Sequence, residues 1–485
     1  MSDSGSPARK RRLFSGFFGF FNGLATDFVQ GDIFVKLSLL IMGAGYFRRR
    51  QIVKGVIMTL FQAVVIYFAV RFALPYIADF STLGTVKFAS VFNPSTMKNE
   101  TNDYDHSFKI LLFGLIGIIV LACAVVIWLR NIRNVRALEL RARQGKPIPG
   151  FMEELKSFRD EKFHIALLSL PCLGVVLFTI IPLIVMILVA FTNYDQQHMP
   201  PAELFTWVGL DNFKNLLTNS ITSSFGYAFF KVLLWTLLWA FAATFTCYIG
   251  GILLSLLINN RKTRFKRVWR TMFVVAIAVP QFVTLLLVRN FFSDAGIANT
   301  ICAQLGVTEF LKTIGLVPAG MSYIPFLTHS GWAKTMIILI NIWIGVPYLM
   351  LIATGVLMNI PRELYESARI DGASPFKCFI HITMPYMLFV TGPYLVTSVV
   401  HNINNFNVIY LLTQDVYRTL DQALANANAK EIDLLVTWLF RLTQEYYNYK
   451  MASVIGIMVF VVCTVLTLIA FNVVLKRNKE DKFQL

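Results

Sequence analysis

The sequence predicts an all-α, polytopic membrane protein with about eight transmembrane helices. Three observations predict it. Only 15% of the 485 residues are charged and 56% are hydrophobic, with a mean hydropathy of +0.62, whereas a soluble domain carries about 25% charged residues. The depletion is blockwise: apolar runs of about 20 residues recur, each long enough to cross a hydrocarbon core of about 30 Å. Basic residues gather between these runs, at Arg9–Arg12, Arg48–Arg50, Arg130–Lys162, Arg261–Arg270 and Lys476–Lys482. Such clusters mark cytoplasmic loops. The net charge of +17 therefore reports topology. No stacking-aromatic module accompanies it, so nucleic acid is not an expected partner.

The elements follow in order. Residues 1–51 read as a cytoplasmic or interfacial tail. Arg9–Arg12 begins a basic, aromatic stretch without the apolar core and cleavage site of a signal peptide. Residues 33–47 are apolar but short and contain Lys36, which favours an interfacial or re-entrant helix over a span. Spans near 52–74 and 108–129, with a basic linker at 130–163, make an accessory region of 52–163. Six more spans, near 164–191, 227–258, 271–292, 333–358, 386–412 and 452–475, make a core of 164–475, followed by a tail at 476–485. The run at 227–258 is over-long and must tilt or extend past the membrane. Between the last two spans, Asp433–Arg441 is amphipathic enough to lie as a scoop or cap at the outer surface.

Counting charge tests the orientation. With the N-terminus inside, loop 130–163 carries nine Lys/Arg and loop 259–270 carries six. Loops 192–226 and 293–332 carry one each, Lys214 and Lys312. Every major basic cluster then falls on one side, with both termini cytoplasmic. The six cysteines show no paired spacing for zinc and no obvious disulfide. Arg289 and Lys231, near span ends, are expected to snorkel. No acid–His cluster, nucleophile elbow or metal-ligand set is visible, so no catalytic or metal site is expected.

Two features carry function. The first is the polar loop Glu363–Pro385 between two long apolar runs. Pro361 suits a first helical position, Gly372 a C-terminal cap, and Ser374 with Pro375 a helix restart. The loop thus reads as two short helices around a Gly turn. Leu364, Ser367, Ala368 and Asp371 share one face. An ordinary helical connection would look the same. The second feature is a pair of polar stripes. Asn341, Gly345 and Tyr348 recur at i, i+4 and i+7, and Ser398, His401, Asn402 and Asn405 at i, i+3, i+4 and i+7. Interhelical glue explains such residues. So does a site for a hydroxyl-rich ligand, which needs neutral donors, acceptors and an aromatic face. The stripes contain no acid, which disfavours a cation or proton path.

The pattern Glu366, Ala368, Asp371, Gly372, Ala373, Phe379, Ile382 and Pro385 resembles the EAA loop of ABC-importer permeases. Position 367 is Ser where the motif has Ala. The resemblance implies the ABC type I importer fold. It also implies a coupling surface at Glu363, Glu366, Ser367, Ala368, Asp371, Gly372 and Ala373, seated on a separate ATPase subunit. The chain has no G-x-x-x-x-G-K-[ST] loop. ATP and Mg are therefore expected on two copies of that cytoplasmic subunit, with no cofactor in this chain.

The stretches around both stripes resemble the larger membrane subunit of maltose-type carbohydrate importers, over roughly 164–475 and most strongly over 341–412. By that resemblance Asn341, Gly345, Tyr348, Ser398, Asn402 and Asn405 contact sugar. His401 stands where the maltose pattern has Phe. Trp207–Phe213 is also typical of sugar permeases. The resemblance implies binding-protein-dependent import of maltose, maltodextrin or a related oligosaccharide by alternating access, in a bacterial cell membrane. It further implies a second, smaller permease and an extracellular solute-binding protein. Loop 192–226 is too short for the external domain of some maltose permeases, which favours a tethered binding protein. A secondary transporter would instead need intramembrane acids or a broken-helix pair, and a glycan enzyme would need carboxylates or metal ligands near the interface.

Overall fold

The computed structural model describes residues 23, 26–94, 97–218, 224–260 and 262–479. Among these, seven helical segments are long and apolar enough to cross a membrane: Ile52–Ser81, Ser107–Arg143, Phe163–Val189, Phe225–Asn259, Ser330–Leu357, Pro375–Thr413 and Tyr449–Asn472. The eighth expected span, near 271–292, is not one helix. It is split into Lys266–Ala278 and Gln281–Phe291 by Val279 and Pro280, both extended with ψ of 128° and 129°. Pro280 lacks an N–H and drives the residue before it out of the helical region. The helices used below are α1 (Ile52–Phe68), α2 (Ser107–Arg143), α3 (Phe163–Val175), α4 (Phe225–Asn259), α5 (Lys266–Ala278), α6 (Gln281–Phe291), α7 (Ser330–Leu357), α8 (Arg362–Ile370), α9 (Met384–Ile403), α10 (Phe406–Thr413), α11 (Leu435–Gln444) and α12 (Tyr449–Lys479).

Other prolines are absorbed without a break. Three π-helical turns, Ala69–Ala73, Val176–Ile180 and Phe379–Thr383, stand just before Pro75, Pro182 and Pro385. In each, the residue before the proline donates five residues back: Leu74 to Ala69, Ile181 to Val176 and Met384 to Phe379. Widening the turn keeps a carbonyl satisfied where the ring would clash with the ordinary i−4 partner. Lipid offers no replacement donor, so this matters more here than in water.

The chain divides into two compact units, Met1–Trp207 and Val208–Leu485. In the first, residues 33–47 form no span but two five-residue helices, Ile33–Leu37 and Ala44–Arg48. They dock on the end of α2, which runs to Arg143 and so occupies much of the stretch expected as a linker. Val35, Tyr46, Ile132, Val135 and Leu138 form the apolar contact. Around it Asn131 donates to the Met42 carbonyl at 3.0 Å, Arg49 pairs with Asp32 at 3.1 Å, and Arg136 pairs with Glu139 at 2.6 Å. Burial, with the nearby Glu154 charge, raises the Tyr46 hydroxyl to about 12. The polar segment after α1 holds a hairpin, β1 (Ser90–Asn93) antiparallel to β2 (Lys98–Thr101).

In the second unit α4 crosses α7 at close range. A Cβ on Gly251 would lie 2.6 Å from the Leu349 Cβ and 2.8 Å from its carbonyl carbon, so the two backbones touch. Ser255 and Thr354 share a hydrogen bond at 2.8 Å further along. The cores on this crossing include Trp235, Trp239, Ile337 and Leu412 at one end and Tyr248, Ile252, Ala353 and Met387 at the other.

The segment expected as a surface scoop is instead packed into this core. On α11, Leu435, Thr437, Trp438, Arg441 and Leu442 are buried. Arg441 grips Asp433 with two bonds, 2.7 and 3.0 Å, and Asp433 is 1% exposed. Trp235 on α4 donates to the Ile432 carbonyl at 3.1 Å. Lys231 and Arg289 do not snorkel freely: they pair with Asp421 at 2.5 Å and Asp415 at 3.3 Å. The Lys231 contact holds the Asp421 carboxyl below the usual carboxylate range.

Removing one partner of a buried pair leaves the other charge uncompensated. Arg441→Met should therefore cost about 3–5 kcal/mol, while the double change with Asp433→Leu should recover most of it. Thermal unfolding of the purified protein in detergent measures both. A harmless single change would show that the pair does not hold this segment.

Candidate functional site

In the second unit a cavity of about 620 Å³ lies between α4, α7, α9 and the α5–α6 break. All seven residues of the two polar stripes line it: Asn341, Gly345 and Tyr348 from α7, Ser398, His401 and Asn402 from α9, and Asn405 just beyond. Helical periodicity brings each stripe to one face. The crossing of α4 and α7 then sets the floor.

The seven do not share one environment. Asn341 is buried and its amide donates to the Cys247 thiol at 3.4 Å, while that thiol donates to the Asn341 carbonyl at 3.5 Å. Asn402 is buried, donates to Thr244 at 3.0 Å and accepts from the Asn405 amide at 3.4 Å. The Asn402 carbonyl also takes the Trp239 indole N–H at 3.1 Å. Asn405 caps α10, its side-chain oxygen accepting from Val408 at 3.3 Å. These asparagines tie helices together. Tyr348 is 50% exposed and His401 is also exposed. Ser398 and Tyr394, one helical turn apart on α9, both face the cavity. Gly345 is needed for space, since a Cβ there would lie 2.7 Å from the Cys247 sulfur.

Among the described residues, seven further polar or aromatic side chains at the cavity were not part of the stripes: Thr244, Cys247, Gln281, Thr284, Trp343, Tyr394 and Thr397. Pro280 was the sequence signal for two of them, but it sits inside an apolar run that reads as one span. Pro347 adds another feature. It withholds the N–H that would serve the carbonyl of Trp343, a residue of the cavity wall. Among the described residues the lining holds no Asp, Glu, Lys or Arg, and His401 is its only imidazole. Such a surface suits a neutral, hydroxyl-bearing solute.

The loop at 363–385 has defined geometry. Pro361 occupies the N-cap of α8 and not its first helical position, with Arg362 following. Gly372 has φ +76°, as a left-handed cap requires. Gly372 donates to the Arg369 carbonyl at 3.1 Å and Ala373 to Ala368 at 2.8 Å, the paired bonds of a Schellman stop. Ser374 caps the restart, accepting from Lys377 at 3.3 Å. The restart is not a separate helix, however. Pro375–Cys378 runs through the π turn at Phe379–Thr383 straight into α9. Tyr365 bonds Thr383 in that turn at 2.9 Å, fastening α8 to the root of α9. Glu363, Glu366, Ser367, Asp371 and Gly372 are exposed, and Ala368 and Ala373 half-buried. Ile370 is 86% exposed on the same short helix.

A helical bundle with a neutral polar cavity between its apolar segments, and an exposed polar stirrup joined to that cavity's walls, is the build of a membrane permease. Residues 248–479 match the family described as binding-protein-dependent transport system inner membrane component. The chain is 33% identical over 427 residues to the galactooligosaccharides transport system permease protein GanP of Bacillus subtilis, covering 88% of this chain and 93% of that one. It is 31% identical to the maltodextrin transport system permease protein MalC of Streptococcus pneumoniae, covering 92% and 96%. The maltose/maltodextrin transport system permease protein MalF of Escherichia coli is 28% identical over 60% of this chain and 52% of its own length. A solved bacterial ABC transporter involved in alginate import has the same fold, with a TM-score of 0.50 at 24% identity over 66% of this chain and 98% of that one. The chain belongs to the family of binding-protein-dependent ABC-importer permeases.

The two kinds of cavity residue can be separated. Asn402→Leu leaves Thr244 and Asn405 without their partner and should cost about 1–3 kcal/mol of stability. His401→Ala removes an exposed ring and should leave the thermal midpoint unchanged. Equal losses for both would assign His401 to the helix interface.

Proposed function

We propose that this chain is the larger permease subunit of an ATP-driven importer that moves a neutral oligosaccharide through the α4–α7–α9 cavity. One observation carries the reading: both polar stripes converge on one cavity lined without acids, Lys or Arg. Neutral amides, hydroxyls and the Tyr348 ring can bind sugar hydroxyls and a sugar face. A cation or proton path would need charged groups there. The α5–α6 break does resemble the broken helices of secondary transporters, but no intramembrane acid accompanies it at the cavity.

Maltodextrin is the preferred substrate, since MalC and the B. subtilis maltodextrin permease MdxF match almost end to end. Galactooligosaccharide is the competing choice, on the strength of GanP. His401, in place of the Phe of the maltose pattern, supports a ligand with more polar demands at that wall.

In this reading the chain does not hydrolyse ATP. The stirrup Glu363–Ala373 docks on one of two cytoplasmic ATPase subunits, which hold ATP and Mg. A second, smaller permease completes the path, and an extracellular solute-binding protein delivers the sugar. Both termini lie in the cytoplasm, because the basic clusters then all do. ATPase closure pushes α8. The Tyr365–Thr383 bond and the continuous 375–403 helix carry the push to the Ser398–Asn402 wall. Pro361 and α7 receive it on the other side.

Purification of the chain with its membrane partners should bring down an ATPase, and sugar uptake into vesicles should require it. Uptake without any ATPase would overturn the reading. Gly372→Leu forces a side chain into φ +76° and should leave ATP hydrolysis running while uptake falls; intact coupling would remove the stirrup from the mechanism. Tyr348→Ala should lower uptake at least several-fold with assembly intact, and normal uptake would leave the stripes as helix glue alone.

A further inference from the structure

In the first unit the helices Ile33–Leu37 and Ala44–Arg48 make a hairpin. Its turn, Leu39–Met42, is built for a place without water, because every backbone N–H and C=O in it has a partner. The N–H groups of Leu39, Leu40 and Ile41 donate to the Lys36 and Leu37 carbonyls, at 3.1, 3.0 and 2.9 Å. The Ile41 carbonyl accepts from Ala44 at 3.0 Å. Side chains of the two adjoining spans meet the rest. Gln62 of α1 accepts from the Met42 N–H at 2.9 Å and donates to the Leu40 carbonyl at 2.6 Å. Trp128 and Asn131 of α2 donate to the Leu39 and Met42 carbonyls at 3.1 and 3.0 Å. A turn in water would leave such groups to solvent.

We infer that residues 33–48 form a re-entrant hairpin whose tip, Leu40 and Ile41, is seated among the acyl chains of the cytoplasmic leaflet. The side named rests on the orientation proposed above. Lys54, paired with Glu154 at 2.6 Å, is the last charge of its span before Arg71. Gln62 stands eight residues further in, about 12 Å along the helix. Over that distance α1 presents Val56, Ile57 and Leu60 outward. Leu40, 70% exposed, and Ile41 continue this apolar surface at the level of Gln62.

Charge is kept to the other end of the hairpin. From Leu37 to Gly45 no side chain is charged, and the one polar chain, Ser38, is fully buried and bonded to the Phe34 carbonyl at 2.7 Å. At the base Arg49 reaches Asp32 at 3.1 Å, with Arg48 and Arg50 exposed beside it. Lys36, on the first arm, has a stem long enough to bring its ammonium to that base. A Cβ on Gly43 would strike the Thr59 hydroxyl and the Gly55 carbonyl, so the second arm lies directly on α1. Irregular backbone persists at membrane depth only where protein satisfies it, which is what Gln62, Trp128 and Asn131 do.

The test uses the intact importer complex in inside-out vesicles. Leu40→Cys and Gln144→Cys, the latter at the exposed end of α2, are treated with a membrane-impermeant maleimide, and peptide mapping reads each site. The thiol at 144 should react about ten-fold faster or more, since the thiolate is the reactive form and hydrocarbon suppresses it. Equal rates would overturn the inference. Burial under another protein would also slow position 40, so p-benzoylphenylalanine is placed there and irradiated. A phospholipid adduct is expected, and a protein adduct would overturn the lipid assignment. If Leu40→Cys does not assemble, Ile41→Cys takes its place in the comparison. If Gln144→Cys reacts only in right-side-out vesicles, the orientation is reversed and the cytoplasmic assignment is overturned with it, whereas a fast reaction at position 40 overturns re-entry in either orientation.

Discussion

The contact of Gly251 with the Leu349–Met350 backbone governs the second unit. Where two helices touch at backbone distance, no side chain can intervene and the crossing has little freedom. In lipid, apolar surface does not drive helices together as it does in water, so close packing and interhelical hydrogen bonds must do so. The α4–α7 pair has both: the Gly251 approach, the Ser255–Thr354 bond, and the exchange between Cys247 and Asn341. The cavity lies beside this crossing, and Gly345 faces it across the Cys247 sulfur. The floor of the site is therefore as rigid as the helix pair itself.

Prolines shape the rest. Pro75, Pro182 and Pro385 are each met by a π turn that keeps the helix whole, whereas Pro280 ends one helix and begins another. The outcome depends on what surrounds the freed groups. At 279–280 they lie against a polar cavity, which can stand in for the missing helical partners. Near Pro385 the π turn has a second use: Thr383 within it takes the Tyr365 bond from the exposed helix α8. One local adjustment thus secures both helix continuity and the attachment of the stirrup.

The asparagines show that tying helices together and lining the cavity are not exclusive. Asn402 is buried with its amide committed to Thr244 and Asn405, and it still lines the cavity. Its commitments fix the orientation of α9, and with it where Ser398 and the exposed His401 stand. Tyr348 on α7 is likewise free because its neighbours at i−7 and i−3, Asn341 and Gly345, carry the contact with α4. The polar stripe works as a unit with a packed end and an open end.

Much of this was legible in the chain. Apolar run length fixed most of the helical segments, because crossing a bilayer demands a set number of residues. Periodicity of 3.6 placed Asn341, Gly345 and Tyr348 on one face, and likewise Ser398, His401, Asn402 and Asn405. Gly372 and Ser374 announced their caps through local chemistry alone. The failures share a cause. Whether Pro280 breaks a helix, whether α2 continues through Arg130–Arg143, and whether Asp433–Arg441 lies on the surface or in the core are decided by partners far away in sequence: the cavity, the docked 32–51 segment, and Trp235 with Thr236. The same holds for Gln281 and Thr284, which look like two stray polar residues in an apolar span until the break turns them to the cavity. Local periodicity determined which residues share a face. Only the tertiary structure decided which faces meet, because that depends on the close crossing of α4 and α7, set by glycines whose neighbours are about one hundred residues away.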